Sequence, residues 1–138
     1  MYDQPDMHHD MHHDILLIED SPSQALRFRL MLQRASYHVD VAVDGADGWR
    51  QACAHPPRLI LLDIDLPTLN GFQVLSRLKR GRVTAAIPVI MLTHRAHVSS
   101  VLQAIEMGAT DYLFKDDAPY SLCAAVDQLL AAEACATS

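Results

Sequence analysis

Leu59-Ile60-Leu61-Leu62 runs without a polar residue straight into Asp63, and the loop Ile64-Asp65-Leu66-Pro67-Thr68-Leu69-Asn70-Gly71 follows at once. A short apolar run bounded by turn residues fits a strand buried on both faces, and such strands belong to parallel sheets covered by helices on either side. A carboxylate that ends such a strand sits where open α/β sheets place their ligand sites. Asp is also a common turn residue, and on this stretch alone the turn role has the edge. Partners for Asp63 at the ends of other strands decide between the two.

Ile15-Leu16-Leu17-Ile18 repeats the pattern and ends in Glu19-Asp20. Ser21-Pro22 then opens a helix, with Ser as N-cap and Pro as first helical residue. This helix is expected to run to about Ala35, with Phe28, Met31, Leu32 and Ala35 as its core stripe. Leu26 and Leu30 fall on another side, either partly buried or forming an exposed apolar patch for a partner. Tyr37–Val43 reads as a second strand, Asp44-Gly45 as a turn, and Ala46–Ala54 as a helix anchored by Trp49 and stopped by Pro56-Pro57. Arg58–Asp63 is the central strand. A helix from Phe72 to about Arg80 follows, with Phe72, Leu75 and Leu78 apolar and Arg77, Lys79 and Arg80 solvated near its C-terminus. Pro88–Leu92 is a fourth strand ending in Thr93, and Val98–Met107 a helix closed by Gly108. Thr110–Phe114 is a fifth strand ending in Lys115, and Ala118–Ala132 a final helix.

Strands alternating with helices, without repeats or a linker, imply one domain with a parallel sheet, helices on both faces and right-handed crossovers. A chain of 138 residues, half of them hydrophobic and a fifth charged, suits one such domain. A net charge of −6 argues against direct nucleic-acid binding, which needs clustered Lys and Arg. The apolar runs are strand-length, so no membrane span is expected, and the polar N-terminus is unlike a secretory signal. Cys53, Cys123 and Cys135 are odd in number and lack metal-ligand spacing, which fits thiols in a reducing cytoplasm. Residues 1–13 are expected to be a flexible tail in which Met7-His8-His9-Asp10 is followed by Met11-His12-His13-Asp14. Adjacent His and Asp could bind a transition metal, although a disordered leader with incidental affinity is the simpler account.

Four strand ends thus carry an acid pair, an acid, a hydroxyl and a lysine. Carboxylates brought together repel, and some would be protonated unless a cation neutralises them. Mg²⁺ (or Mn²⁺) suits carboxylate and carbonyl oxygens while keeping several waters. A carboxylate beside such an ion can attack a phosphoryl group and form an acyl phosphate. On this reading Asp63 is the nucleophile, Glu19 and Asp20 hold the metal, and Lys115 and Thr93 bind the phosphoryl oxygens.

The motifs Ile-Leu-Leu-Ile-Glu-Asp-Ser-Pro, Leu-Ile-Leu-Leu-Asp-Ile-Asp-Leu-Pro-Thr-Leu-Asn-Gly, Pro-Val-Ile-Met-Leu-Thr and Gly-Ala-Thr-Asp-Tyr-Leu-Phe-Lys, in this order, resemble the receiver domain of two-component response regulators. The resemblance covers roughly Asp14 to Ala132. It implies a flavodoxin-like (βα)5 domain over residues 14–134, a short C-terminal tail over 135–138, and sheet order 2-1-3-4-5. It also implies phosphotransfer to Asp63 from a sensor histidine kinase or a phosphotransfer domain. Asp20 would contact Mg²⁺ directly, Glu19 through water, and Asp65 through its backbone carbonyl. Thr93 and Tyr112 would form the switch, and the last two helices with the fifth strand would present a changed surface to an output domain or a second copy.

Three departures from the family pattern stand out. Asp116-Asp117 replaces the usual proline after the lysine, often in a cis peptide. A cis bond without proline costs about 3–4 kcal/mol, so a trans bond and a reshaped loop are expected. Receivers fused to histidine kinases or cyclases look similar here. His94 follows Thr93 where a small residue is usual, either as a surface imidazole or as a ring narrowing access to Asp63. Asp65 and Arg95, two beyond Asp63 and Thr93, are expected to pair across the site mouth for about 0–1 kcal/mol. Two other functions compete with the phosphorylated switch. One is a phosphatase of the haloacid-dehalogenase type, since Asp63-Ile64-Asp65 is an Asp-x-Asp after a strand; two strands precede it here, and Glu19-Asp20 would be idle. The other is a degenerate receiver acting by protein binding alone.

Overall fold

A computed structural model describes residues 14–94 and 98–137. The His-rich tail, its proposed metal affinity and Arg95 lie outside the described residues. The chain alternates β1 (Ile15–Ile18), α1 (Pro22–Arg34), β2 (Val39–Ala42), α2 (Gly45–Ala54), β3 (Leu59–Asp63), α3 (Gly71–Arg80), β4 (Val89–Thr93), α4 (Val98–Glu106), β5 (Asp111–Phe114) and α5 (Ala118–Thr137). A 3-10 turn over Lys115–Asp117 joins β5 to α5. All strand pairs are parallel, and the sheet order is β2-β1-β3-β4-β5, as the resemblance implied.

Every residue of β1, β3 and β4 is buried, so these strands need no polar alternation. Successive side chains point to opposite faces and feed two separate cores. Leu16, Ile18, Ile60 and Leu62 pack with Val74, Leu75 and Leu78 of α3 and Ala104 of α4. Ile15, Leu17, Leu59 and Leu61 pack with Phe28 and Leu32 of α1 and Leu122 and Val126 of α5. The register sets Ile18 beside Leu62, Asp63 beside Leu92, and Thr93 beside Phe114. The polar residues that follow these positions therefore meet at one edge of the sheet.

Several local expectations are corrected. Ala35 is exposed as the C-cap of α1, because Ser36 turns the chain away at φ 73°; Ala25, one turn before Phe28, takes the buried place instead. Asp44-Gly45 starts α2 and is not a free turn: Asp44 Oδ1 caps the Asp47 N–H at 2.7 Å. β2 is shorter than the alternation suggested, with Tyr37 and Val43 outside it. α3 begins at Gly71, where Asn70 and Gln73 form a reciprocal capping box, and Val74 joins Leu75 and Leu78 inside while Phe72 is only partly buried. α5 runs on to Thr137 because the Ala-rich stretch beyond Ala132 carries no Gly or Pro to stop it. Lys79 is partly buried and not freely solvated: its ammonium donates to the carbonyls of Ala85 and Ile87 at 3.2 and 2.9 Å, and burial lowers its pKa. Among the described residues every peptide bond is trans, including those after Lys115.

Candidate functional site

Glu19 and Asp63 continue the row of Ile15, Leu17, Leu59 and Leu61, and so lie on the sheet face that α1 and α5 cover. Both carboxylates are 1% exposed. Asp20, one residue on, is exposed. Oxygens of Glu19, Asp20 and Asp63 lie within 4.8 Å of one another.

Lys115 reaches this cluster from the end of β5 and is itself buried. Its Nζ is 2.9 Å from Glu19 Oε1 and 3.2 Å from Asp63 Oδ2 as ion pairs, and it donates a hydrogen bond to Gln24 Oε1 at 2.7 Å. Asp63 Oδ1 accepts the backbone N–H of Asp65 at 3.0 Å, while Glu19 Oε2 accepts that of Ser21 at 3.2 Å. Burial pushes the Glu19 carboxyl from 4.5 up to about 7, with the Asp63 carboxylate adding to the push and Lys115 and the Ser21 N–H opposing it.

The arrangement is short of positive charge. Three carboxylates face one ammonium, and Glu19 Oε1, although beside Lys115, lacks an aligned hydrogen bond. Carboxylate oxygens so placed are the donor set of a hard divalent cation, so the residues present fit Mg²⁺. A shallow cleft lined by Asp20, Asp65, Leu66, Pro67, Asn70 and Phe72 opens beside them.

Thr93 is buried at the end of β4, and its hydroxyl donates to the His94 carbonyl at 3.2 Å. His94 is exposed at the rim. Tyr112 is 39% exposed on β5 with its ring edge-on to Phe114 at 5.6 Å. The Asp65 side chain is exposed, and its N–H donates to Asp63 Oδ1. Among the described residues the carboxylate cluster is Glu19, Asp20 and Asp63; it takes in Glu19, which the phosphatase reading leaves idle, and not the second acid of the Asp-x-Asp. The Asp65–Arg95 pair lies outside the described residues. Gln24 was not singled out from the sequence, although Ser21-Pro22-Ser23-Gln24 has the spacing of a capping box and marks a side chain near the acids.

A doubly wound parallel sheet of order β2-β1-β3-β4-β5, with an acidic pocket and a lysine at its carboxyl edge, makes this a flavodoxin-like α/β domain. The family model described as response regulator receiver domain matches residues 15–127, and the chain belongs to that family. It is 34% identical over 117 residues to protein PilH of Pseudomonas aeruginosa, covering 85% of this chain and 97% of PilH. It is 43% identical over 101 residues to the DNA-binding dual master transcriptional regulator RpaA of Synechocystis, covering 73% of this chain but 42% of RpaA. The chain thus spans less than half of that regulator. A solved putative response regulator from Chloroflexus aurantiacus superposes with a TM-score of 0.82 at 30% identity, covering 87% of this chain and 98% of that one. The receiver domain of sensor histidine kinase PA1611 from Pseudomonas aeruginosa, solved with a magnesium ion coordinated in its active-site cleft, superposes at 0.80 with 27% identity, covering 87% and 98%. The chain carries a receiver domain of two-component response regulators. Among its described residues no helix is long and apolar enough to cross a membrane.

Proposed function

We propose that Asp63 accepts a phosphoryl group from a sensor histidine kinase or phosphotransfer domain and that the domain acts as a cytoplasmic switch. The observation that carries this is the set of partners on Asp63: the Asp65 N–H on one oxygen and the Lys115 ammonium by the other. These hold the carboxylate as an oriented nucleophile. One Asp63 oxygen attacks phosphorus, the bond from phosphorus to the donor's imidazole nitrogen breaks, and that nitrogen keeps the electron pair. Lys115 then pairs with a phosphoryl oxygen, and Thr93 donates its hydroxyl to another after leaving the His94 carbonyl. Glu19, Asp20, Asp63 and the backbone carbonyl of Asp65 would hold Mg²⁺ or Mn²⁺, which supplies charge neutralisation for the transfer. The domain is a phosphoacceptor signalling domain that assists its own phosphorylation and dephosphorylation.

Phosphorylation would draw Thr93 and Tyr112 inward and alter the α4–β5–α5 surface, the face offered to an output domain or a second copy. His94 and Asp65, with Arg95, would tune access at the rim. The full set of acids with Lys115 and Thr93 favours this reading over a phosphorylation-independent binder. Incubation with acetyl phosphate and Mg²⁺ should give a hydroxylamine-labile label that disappears in Asp63→Asn. A label unaffected by Asp63→Asn, or none in the wild type, overturns the proposal. Comparing His94→Ala tests the rim role, which unchanged labelling and dephosphorylation rates would sink.

A further inference from the structure

Two helices of this chain begin with the same spacing and treat it differently. In α3, Asn70 Oδ1 accepts the Gln73 N–H at 3.0 Å and Gln73 Oε1 accepts the Asn70 N–H at 2.9 Å, closing the box. In α1, Ser21 Oγ accepts the Gln24 N–H at 3.4 Å, but the Ser21 N–H goes to Glu19 Oε2. Gln24 is thereby released from its local role, and its side-chain oxygen accepts from Lys115 at 2.7 Å across 91 residues of sequence. The assignment of that atom as oxygen is chemically required, since an ammonium has donors only.

We infer that Gln24 is a positioning residue for Lys115, an inference that rests on the phosphoryl-acceptor reading of Asp63. The Lys115 ammonium has three N–H donors and three oxygen neighbours, on Glu19, Asp63 and Gln24. Two of these change during the reaction: Asp63 becomes an acyl phosphate, and Glu19 belongs to the metal-holding acids. Gln24 carries no charge, does not titrate and forms no bond to phosphorus. It is the fixed point about which the ammonium can pass from a carboxylate to a phosphoryl oxygen. The reach is set by the helix start. Ser21 and Pro22 fix the first turn, Gln24 is its third residue, and helical side chains lean toward the N-terminus, here toward the site. Because Lys115 is 4% exposed, water is poorly placed to replace the amide.

The test compares wild type, Gln24→Leu and Gln24→Met, measuring Asp63 labelling against acetyl phosphate concentration at saturating Mg²⁺, together with thermal unfolding. Loss of one hydrogen bond to the ammonium is expected to lower the maximal labelling rate roughly fivefold in the Leu and Met variants, with half-saturation and unfolding temperature little changed. Wild-type rates in both apolar variants overturn the inference, as does a rise in half-saturation with an unchanged maximal rate, or a loss of rate matched by an equal loss of thermal stability. Gln24 is only partly buried, so an apolar replacement is compatible with folding, and Gln24→Met is the variant to use if Gln24→Leu is unstable. If the wild type itself shows no label dependent on Asp63, the phosphoryl-acceptor reading has failed, not the positioning inference.

Discussion

Replacing Glu19 by Gln separates the charge carried by the buried acid from its shape. In the metal-free protein the Glu19 carboxyl is raised from 4.5 to about 7, chiefly by burial and next by Asp63. The native state therefore holds a proton that the unfolded chain releases, and stability falls as pH rises between those two values. This group's contribution is fully present below the unfolded value and gone above the native one. Between about pH 5 and about pH 8 the loss amounts to about 2–3 kcal/mol as an upper figure, from about 1.4 kcal/mol per unit. Glu19→Gln has no proton to release. Urea unfolding with EDTA near both pH values should show the wild type losing roughly 1–2 M in midpoint relative to the variant. Mg²⁺ should reverse the effect in the wild type, adding about 2.7 kcal/mol at a hundredfold excess over its dissociation constant, and less in Glu19→Gln. Parallel pH profiles for the two proteins would refute the reasoning, because they would mean that Glu19 is as easily ionised folded as unfolded.

A methyl group at Gly71 would sit 2.5 Å from the Asp63 carbonyl oxygen and 2.6 Å from Ile64 Cα. Both are backbone atoms, so Gly71→Ala must shift the loop, at about 1–3 kcal/mol in urea unfolding and with slower Asp63 labelling. Asn70→Ala removes the cap on the Gln73 N–H and should cost about 1 kcal/mol while labelling persists. Leu26 is 54% exposed on α1. With Leu26 and Leu30 taken as the contact for a kinase or phosphotransfer domain, Leu26→Asp should leave stability within about 0.5 kcal/mol and acetyl phosphate labelling intact but abolish transfer from that partner; equal transfer would rule the contact out.

The strands were legible because three of them are unbroken apolar runs, a pattern that only a doubly covered sheet explains. The acids and the lysine were legible because each lies at or just beyond the end of its strand, and parallel register carries such positions to one edge. Gln24 was not, because the same Ser-x-x-Gln spacing serves a local cap or a distant lysine according to whether another acceptor has taken the N-cap N–H. Glu19 decides that, and its side-chain direction is a tertiary fact. Ala35 failed for a similar reason: helical spacing includes it in the stripe, but the positive φ of Ser36 ends the face one turn early. Asp44-Gly45 is turn chemistry in isolation and becomes a helix start once Asp44 finds the Asp47 N–H.

Burial across the sheet is uneven, and that decides where a change at Asp63 can be expressed. β1 and β3 are buried at every residue and paired on both sides. Moving either one disturbs both cores. β5 is an edge strand with no fully buried residue, and Tyr112 on it is exposed. Lys115 follows β5 directly, so a lysine that exchanges a carboxylate for a phosphoryl oxygen pulls on the least anchored strand. Amide exchange should follow this gradient, with Asp111–Phe114 opening at least about tenfold faster than Leu59–Leu62 in the metal-free protein, a difference of about 1.4 kcal/mol. Adding Mg²⁺ with beryllofluoride should slow exchange in β5 and leave β3 near its starting value, because β3 is buried at every residue and paired on both sides. Equal protection of the two strands before addition, or a response confined to β3, would show that the signal does not leave the site through β5.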